Sequence, residues 1–191
     1  MFEWILMMLL VISWAASFVM LALYNLHIFQ LNSYKPHEQR AWFQKNFLPA
    51  FIGRNLGVLL TPWLTLFCGK VGMVLSILLF AVTAYLGRPR KAKKPLVYTA
   101  RVKRMLVSLG VLMLLTAIVA LLIPSVWIGS WKIPLGVGIL LPLSHFVAGY
   151  YVLAANWVNR PIERSINNWY INDAKRMLRE MPSLKVVGIT G

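Results

Sequence analysis

Cysteine is nearly absent from this sequence, since Cys68 is the only one among 191 residues. A single cysteine excludes an internal disulfide and any metal site built from several thiolates. The three histidines are not clustered with other metal-binding residues, so we expect no metal site. The N-terminus also lacks a basic segment before its first apolar run, which indicates a retained membrane span rather than a cleaved signal peptide.

Acidic residues are equally scarce, with 5 Asp and Glu against 20 Lys and Arg, and the formal net charge is +15. In a soluble protein this excess would suggest nucleic-acid binding. Here the basic residues flank apolar runs of membrane length, so membrane topology and anionic lipid headgroups explain them more simply. We therefore expect the lipid bilayer and anionic lipids as partners, and no nucleic acid.

Apolar residues dominate what remains, at 59% of the chain with a mean hydropathy of +0.68. Soluble domains are about half apolar, and the excess here lies in long uncharged runs. The sequence therefore predicts an all-α polytopic membrane protein in which residues 1–158 form the transmembrane domain. The expected spans lie near residues 4–28, 47–68, 71–87, 105–123 and 135–157.

Residues 47–86 leave the number of spans open. At about 1.5 Å per residue this stretch is too long for one comfortable helix, and Pro49, Pro62, Gly69 and Lys70 interrupt it. We prefer a helical hairpin that turns at Gly69-Lys70, which gives about five spans and places residues 30–46 inside the cell. The alternative is one broken span, which gives four spans and places residues 30–46 outside.

The last span carries features that suggest close packing. Pro142 predicts a kink, and Gly136, Gly138 and Gly149 allow neighbouring helices to approach. His145 is an ionisable residue within this span, and such residues are candidates for function. We favour a neutral imidazole that is hydrogen-bonded to a neighbouring helix, because no second histidine or carboxylate lies at the same depth in the clean spans.

The stretch 88–104 fixes the orientation because it contains eight basic residues and no acidic one. Such a segment between spans resists translocation and stays on the cytoplasmic face. The C-terminus is then cytoplasmic as well. The same residues are candidate lipid-headgroup contacts, although topology alone explains them: Arg88, Arg90, Lys91, Lys93, Lys94, Arg101, Lys103 and Arg104.

The C-terminal part changes character after residue 158. Residues 159–183 have the pattern of an amphipathic helix, with Pro161 at its first turn, and we expect a cytoplasmic linker helix there. Residues 184–189 read as a buried parallel strand, and Thr190-Gly191 could begin a phosphate-binding loop. This short motif is weak alone, since many strands are followed by a turn.

The segment 171–191 resembles the entry to the ATP-binding domain of Mur ligases. Residues 30–35 and 92–104 resemble parts of the membrane region found in a group of UDP-N-acetylmuramoyl-tripeptide–D-alanyl-D-alanine ligases. The resemblance implies that residues 184–191 begin an α/β ligase domain and that Thr190 and Gly191 begin its ATP loop. It also implies ATP and Mg as cofactors of the full-length enzyme, a bacterial cytoplasmic membrane location, and no catalytic residue in this chain.

Two other functions compete with a membrane anchor of peptidoglycan precursor synthesis. One is a lipid-carrier-binding or transport module, in which the hairpin at 47–87 and His145 form a cavity. The other is a scaffold that holds other cell-wall enzymes through its glycine-bearing helix faces.

Overall fold

The computed structural model describes residues 2–47, 55, 57–87, 94–128, 131–133 and 135–181, and these residues are mainly helical. A short antiparallel hairpin, which pairs Val126 with Ile133, joins two of the helices. The elements in chain order are α1 Phe2–Leu31, α2 Pro36–Lys45, a 3-10 turn Val58–Leu60, α3 Thr61–Phe67, α4 Gly69–Leu86, α5 Ala100–Leu122, β1 Val126–Ile128, β2 Trp131–Ile133, a π-helical turn Gly136–Leu140, α6 Leu141–Phe146 and α7 Ala148–Arg179.

Among the described residues, three helices, α1, α4 and α5, are long and apolar enough to cross a membrane. A fourth is added if the bent pair Gly136–Phe146 and Ala148–Arg179 counts as one span. The prediction of a helical chain with several helices of membrane-spanning length is therefore confirmed, and it supports a membrane location. The count of five spans is not, because α3 and the turn before it, Val58–Phe67, are too short to cross alone.

Helices α1 and α4 run parallel to each other. Glu3 and Lys70, near the start of each helix, form an ion pair of 3.2 Å. Further along, a Cβ atom built on Gly87 would lie 3.3 Å from Met20 Cβ. Beyond that, the His27 side chain bonds the carbonyl of Lys94. In each of these three pairs the two residues are 67 positions apart in the sequence. Because both helices run the same way, the chain must return along the bundle between Leu31 and Gly69.

The predicted hairpin at 47–87 is present around its turn. Gly69 adopts a left-handed φ of 54° after Cys68, and α3 then packs back on α4. The approach is so close that a Cβ atom on Gly72 would lie 1.7 Å from the Leu64 carbonyl oxygen. The turn is thus confirmed, but the helical part of its first arm is short. Val58–Phe67 covers about 15 Å at 1.5 Å per residue, and most of residues 47–57 lie outside the described ranges.

The last apolar segment bends by 76° at Val147. The predicted kink at Pro142 is therefore wrong in position. Pro142 lies in the first turn of α6, directly after the π-helical turn, where a missing N–H is tolerated. The predicted close approach of the glycines is confirmed, since a Cβ atom on Gly136 would lie 2.0 Å from the Ala120 carbonyl oxygen and one on Gly149 would lie 2.6 Å from Phe43 Cζ.

Helix α7 passes straight through the predicted boundary at residue 159. It runs antiparallel to α5, since Tyr151 bonds Thr116 at one level and Glu163 bonds Arg104 at another. The expectation of a separate linker helix starting near Pro161 is wrong, because Pro161 lies inside α7. Pro161 is exposed and so is Trp157, whose carbonyl loses its helical partner, so water can satisfy that carbonyl.

Candidate functional site: the basic end of the bundle

We call the end of the bundle at which residues 94–104 lie the basic end. Of the eight predicted lipid-headgroup contacts, Lys94, Arg101, Lys103 and Arg104 are described and lie here. Arg88, Arg90, Lys91 and Lys93 lie outside the described residues. Gln30 at the end of α1 holds the segment in place, since its side-chain amide pairs with both the carbonyl and the N–H of Val97 at 2.9 and 3.0 Å.

Thr99 sets where α5 begins. Its hydroxyl accepts a hydrogen bond from the Val102 N–H at 3.3 Å, and its backbone is extended, as is usual for an N-cap. The helix therefore starts five residues before the predicted span at 105–123. As a consequence, Arg101, Lys103 and Arg104 lie in the first turns of a helix rather than in a loop.

Arg101 is fixed by contacts with the turn after α1 and with α7. Its guanidinium lies 4.3 Å from the centre of the Tyr34 ring, a cation–π geometry. It also donates a hydrogen bond to the Asn156 side chain of α7 at 3.1 Å. Its Nε is buried and has no hydrogen-bond partner among the described residues, while Glu163 Oε2 is 3.9 Å away. This arginine is therefore held in place without being fully neutralised.

Arg104 makes the shortest ion pair of the basic end. Its Nε and Nη2 both donate to Glu163 Oε1, at 2.9 and 2.6 Å. The Glu163 side chain is only 15% exposed, so solvent screens this pair less than a surface pair. One carboxylate thus faces two guanidinium groups, Arg101 and Arg104, and the local charge stays positive.

A cavity of about 650 Å³ opens between α5 and α7 at this level. Its size is in the range of small-molecule sites. One wall is cationic and the other is aromatic. The residues that line it are Thr99, Ala100, Arg101 and Arg104 from the α5 side, and Ser165, Ile166, Trp169 and Tyr170 from α7. The sequence did not reveal the α7 wall, because only the antiparallel packing of two distant helices brings it opposite the arginines.

His145 lies elsewhere, in the core of the bundle. Its Nε2 lies 2.6 Å from the Ser17 hydroxyl and its Nδ1 lies 2.6 Å from Asn55 Oδ1. Because the amide oxygen can only accept, Nδ1 donates to Asn55. The second bond joins Nε2 to the Ser17 hydroxyl of α1, so the predicted hydrogen bond to a neighbouring helix is confirmed.

The order Ser17, His145, Asn55 matches that of a nucleophile, a base and an orienting group. However, none of the three side chains is more than 1% exposed, and the Phe80 ring packs 6.0 Å from the imidazole. No substrate can reach Ser17 in this arrangement. The network is therefore a polar contact that joins α1, α6 and the segment before α3.

Two further predictions from the sequence concern the ATP loop and metal binding. Thr190 and Gly191, which the resemblance assigns to an ATP loop, lie outside the described residues, as does the expected strand at 184–189. Within the described ranges, no group of three or more His, Cys, Asp or Glu is placed to hold a metal ion.

Comparison of the chain with protein-family models, with curated proteins and with solved structures finds no match. The fold and the site therefore define the class only broadly, as a helical membrane protein with a basic end.

Proposed function

We propose that this chain is the membrane-anchor region of a Mur-ligase-type enzyme, and that it holds an ATP-dependent ligase domain at the cytoplasmic face. The observation that carries the proposal is the continuity of α7, Ala148–Arg179. Its first half is packed in the bundle, residues 163–170 lie against the start of α5, and residues 171–179 continue the same helix past it. Between Tyr170 and Arg179 the helix covers about 14 Å at 1.5 Å per residue. A domain joined to it would be held at a defined distance from the bilayer.

We also propose that the chain crosses the membrane five times, with the basic end in the cytoplasm. The parallel course of α1 and α4 supports this, because it requires a return crossing between residues 31 and 69. Helix α2 starts at the basic end, where the Asn32 side chain donates a hydrogen bond to the Gln39 side chain at 2.9 Å. Its segment carries Lys35, Arg40 and Lys45 against Glu38, a balance that favours the inside.

The chemistry belongs to the ligase domain that the resemblance implies. ATP would convert a carboxylate into an acyl phosphate, releasing ADP, and the amine of D-alanyl-D-alanine would displace phosphate to form an amide. The present chain would supply location alone. Confinement to the membrane surface raises the local concentration of the enzyme near membrane steps that use its product.

The transport alternative is less well supported, because the residues around His145 are packed against one another. The transport alternative predicts instead that the hairpin and His145 enclose a cavity. The scaffold alternative uses the same arrangement of helices as the anchor. It differs in that the chain would hold other cell-wall enzymes instead of its own ligase domain.

Determining the coding sequence that follows codon 191 tests the proposal directly. A continuation into Gly-Lys-Thr or Gly-Lys-Ser and a ligase domain is the expected result. A stop codon directly after Gly191 would exclude the ligase anchor and leave the scaffold.

A further inference from the structure

The cavity between α5 and α7 lies just beyond the apolar part of α5. The apolar part of α5, residues 105–122, is about 27 Å long at 1.5 Å per residue, close to the hydrocarbon thickness of about 30 Å. Arg101 and Arg104 stand in the turn just before this part, where the hydrocarbon would give way to headgroups. A cationic wall at this height faces phosphate groups rather than acyl chains.

The charge of the cavity is suited to a single anion. Glu163 is the carboxylate paired with Arg104, and it lies 3.9 Å from the Arg101 Nε. Two guanidinium groups therefore share one negative charge. Arg101 commits one N–H to Asn156 and Arg104 commits two to Glu163. The other N–H groups of their planar ends are suited to phosphate oxygens.

The opposite wall lies farther from the apolar part of α5 than the arginines do, because Glu163 is level with Arg104 and α7 runs antiparallel to α5. Trp169 and Tyr170 are 61% and 62% exposed, and their rings are in edge contact at 4.9 Å between centroids. At this level the two rings face the part of a headgroup that lies beyond the phosphate, away from the acyl chains. Ser165 adds a hydroxyl to the same wall. The cavity thus combines cationic donors with an amphipathic aromatic surface.

We propose that this cavity is a binding site for the phosphate headgroup of an anionic glycerophospholipid of the same leaflet. Arg101 and Arg104 contact the phosphate, and Trp169 and Tyr170 pack against the part of the headgroup beyond it. Basic pockets between membrane helices are known to take such headgroups. The site is independent of the ligase proposal, because it uses only residues of the membrane bundle and of α7.

The test measures which lipids remain bound to the purified full chain in native mass spectrometry. Phosphatidylglycerol and phosphatidylcholine with identical acyl chains are offered in equal amounts. We expect preferential retention of phosphatidylglycerol and a loss of about fivefold in that preference for Arg101→Gln. Lys103→Gln is the matched control, because it removes the same charge from an exposed position that does not line the cavity.

A second pair of variants keeps every charge in place. Ser165→Phe fills the cavity and is expected to abolish the preference, whereas Asn168→Phe adds the same ring to an exposed position of α7 outside the lining. Equal retention of phosphatidylglycerol by all four variants would overturn the proposal, as would equal losses for Arg101→Gln and Lys103→Gln. Release of the lipid by added inorganic phosphate would also overturn it, because the site would then recognise the anion alone.

Discussion

Glu3 and Lys70 form an ion pair of 3.2 Å between the first turns of α1 and α4. Two helices of a chain that start side by side and run the same way need a return path between them. This pair therefore implies that the chain returns along the bundle between residues 31 and 69. The parallel course of α1 and α4 thus favours an odd number of crossings. It also favours a topology in which α2 and the end of α7 lie on the side of the basic end.

The hairpin of α3 and α4 depends on the absence of a side chain at Gly72. We expect Gly72→Ala to lower the free energy of unfolding by about 1–3 kcal/mol, because its Cβ would collide with the Leu64 carbonyl. Gly110→Ala is the control, since a Cβ there meets nothing within 4 Å. Unfolding of both variants in mixed detergent micelles measures the difference. Equal stability of the two variants would show that α3 does not pack on α4 in this way.

The buried network at His145 is expected to stabilise the bundle. His145→Ala leaves Ser17 and Asn55 without their shared partner, so we expect a loss of about 1–3 kcal/mol in the free energy of unfolding. His37→Ala is the matched control, because the His37 side chain is 79% exposed. The same unfolding assay compares the two. A loss in the control as large as that in His145→Ala would contradict the assignment.

The Arg104–Glu163 pair couples α5 to α7. A double-mutant cycle with Arg104→Gln and Glu163→Gln should give a coupling free energy of about 1–3 kcal/mol, because the Glu163 side chain is only 15% exposed. The exposed pair Arg176–Asp173 serves as the reference and should give less than about 1 kcal/mol. If both cycles gave the same small value, α7 would not be fixed to α5 by this contact.

The sequence predicts the long apolar helices well because their signal is local. The expected spans at 4–28, 71–87 and 105–123 correspond to α1, α4 and α5, and the errors are extensions at the helix ends. Thr99 could have revealed the early start of α5, since its hydroxyl is a good N-cap. The turn at Gly69-Lys70, by contrast, was predicted, because a glycine and a lysine interrupt the apolar run there, and Gly69 does adopt a left-handed φ of 54°.

Features that depend on contacts between distant residues could not be predicted in the same way. Ser17 and His145 are 128 positions apart, and nothing in the composition of either span pairs them. The bend at Val147 has no proline or glycine at its centre, whereas Pro142 and Pro161, the residues that normally interrupt helices, are accommodated. The cavity combines the start of α5 with the exposed half of α7, so it exists only once the two helices are packed.

Cysteine labelling in whole cells tests the proposed topology most directly. In a Cys68→Ser background, single cysteines are placed at residue 37 in α2, at residue 70 beside Glu3, and directly after Gly191. A membrane-impermeant maleimide should label only the cysteine at 70, and all three should react once the cells are opened. Labelling of the C-terminal cysteine in intact cells would place the basic end outside and contradict a cytoplasmic anchor. Labelling of residue 37 but not of the C-terminal cysteine would contradict five crossings.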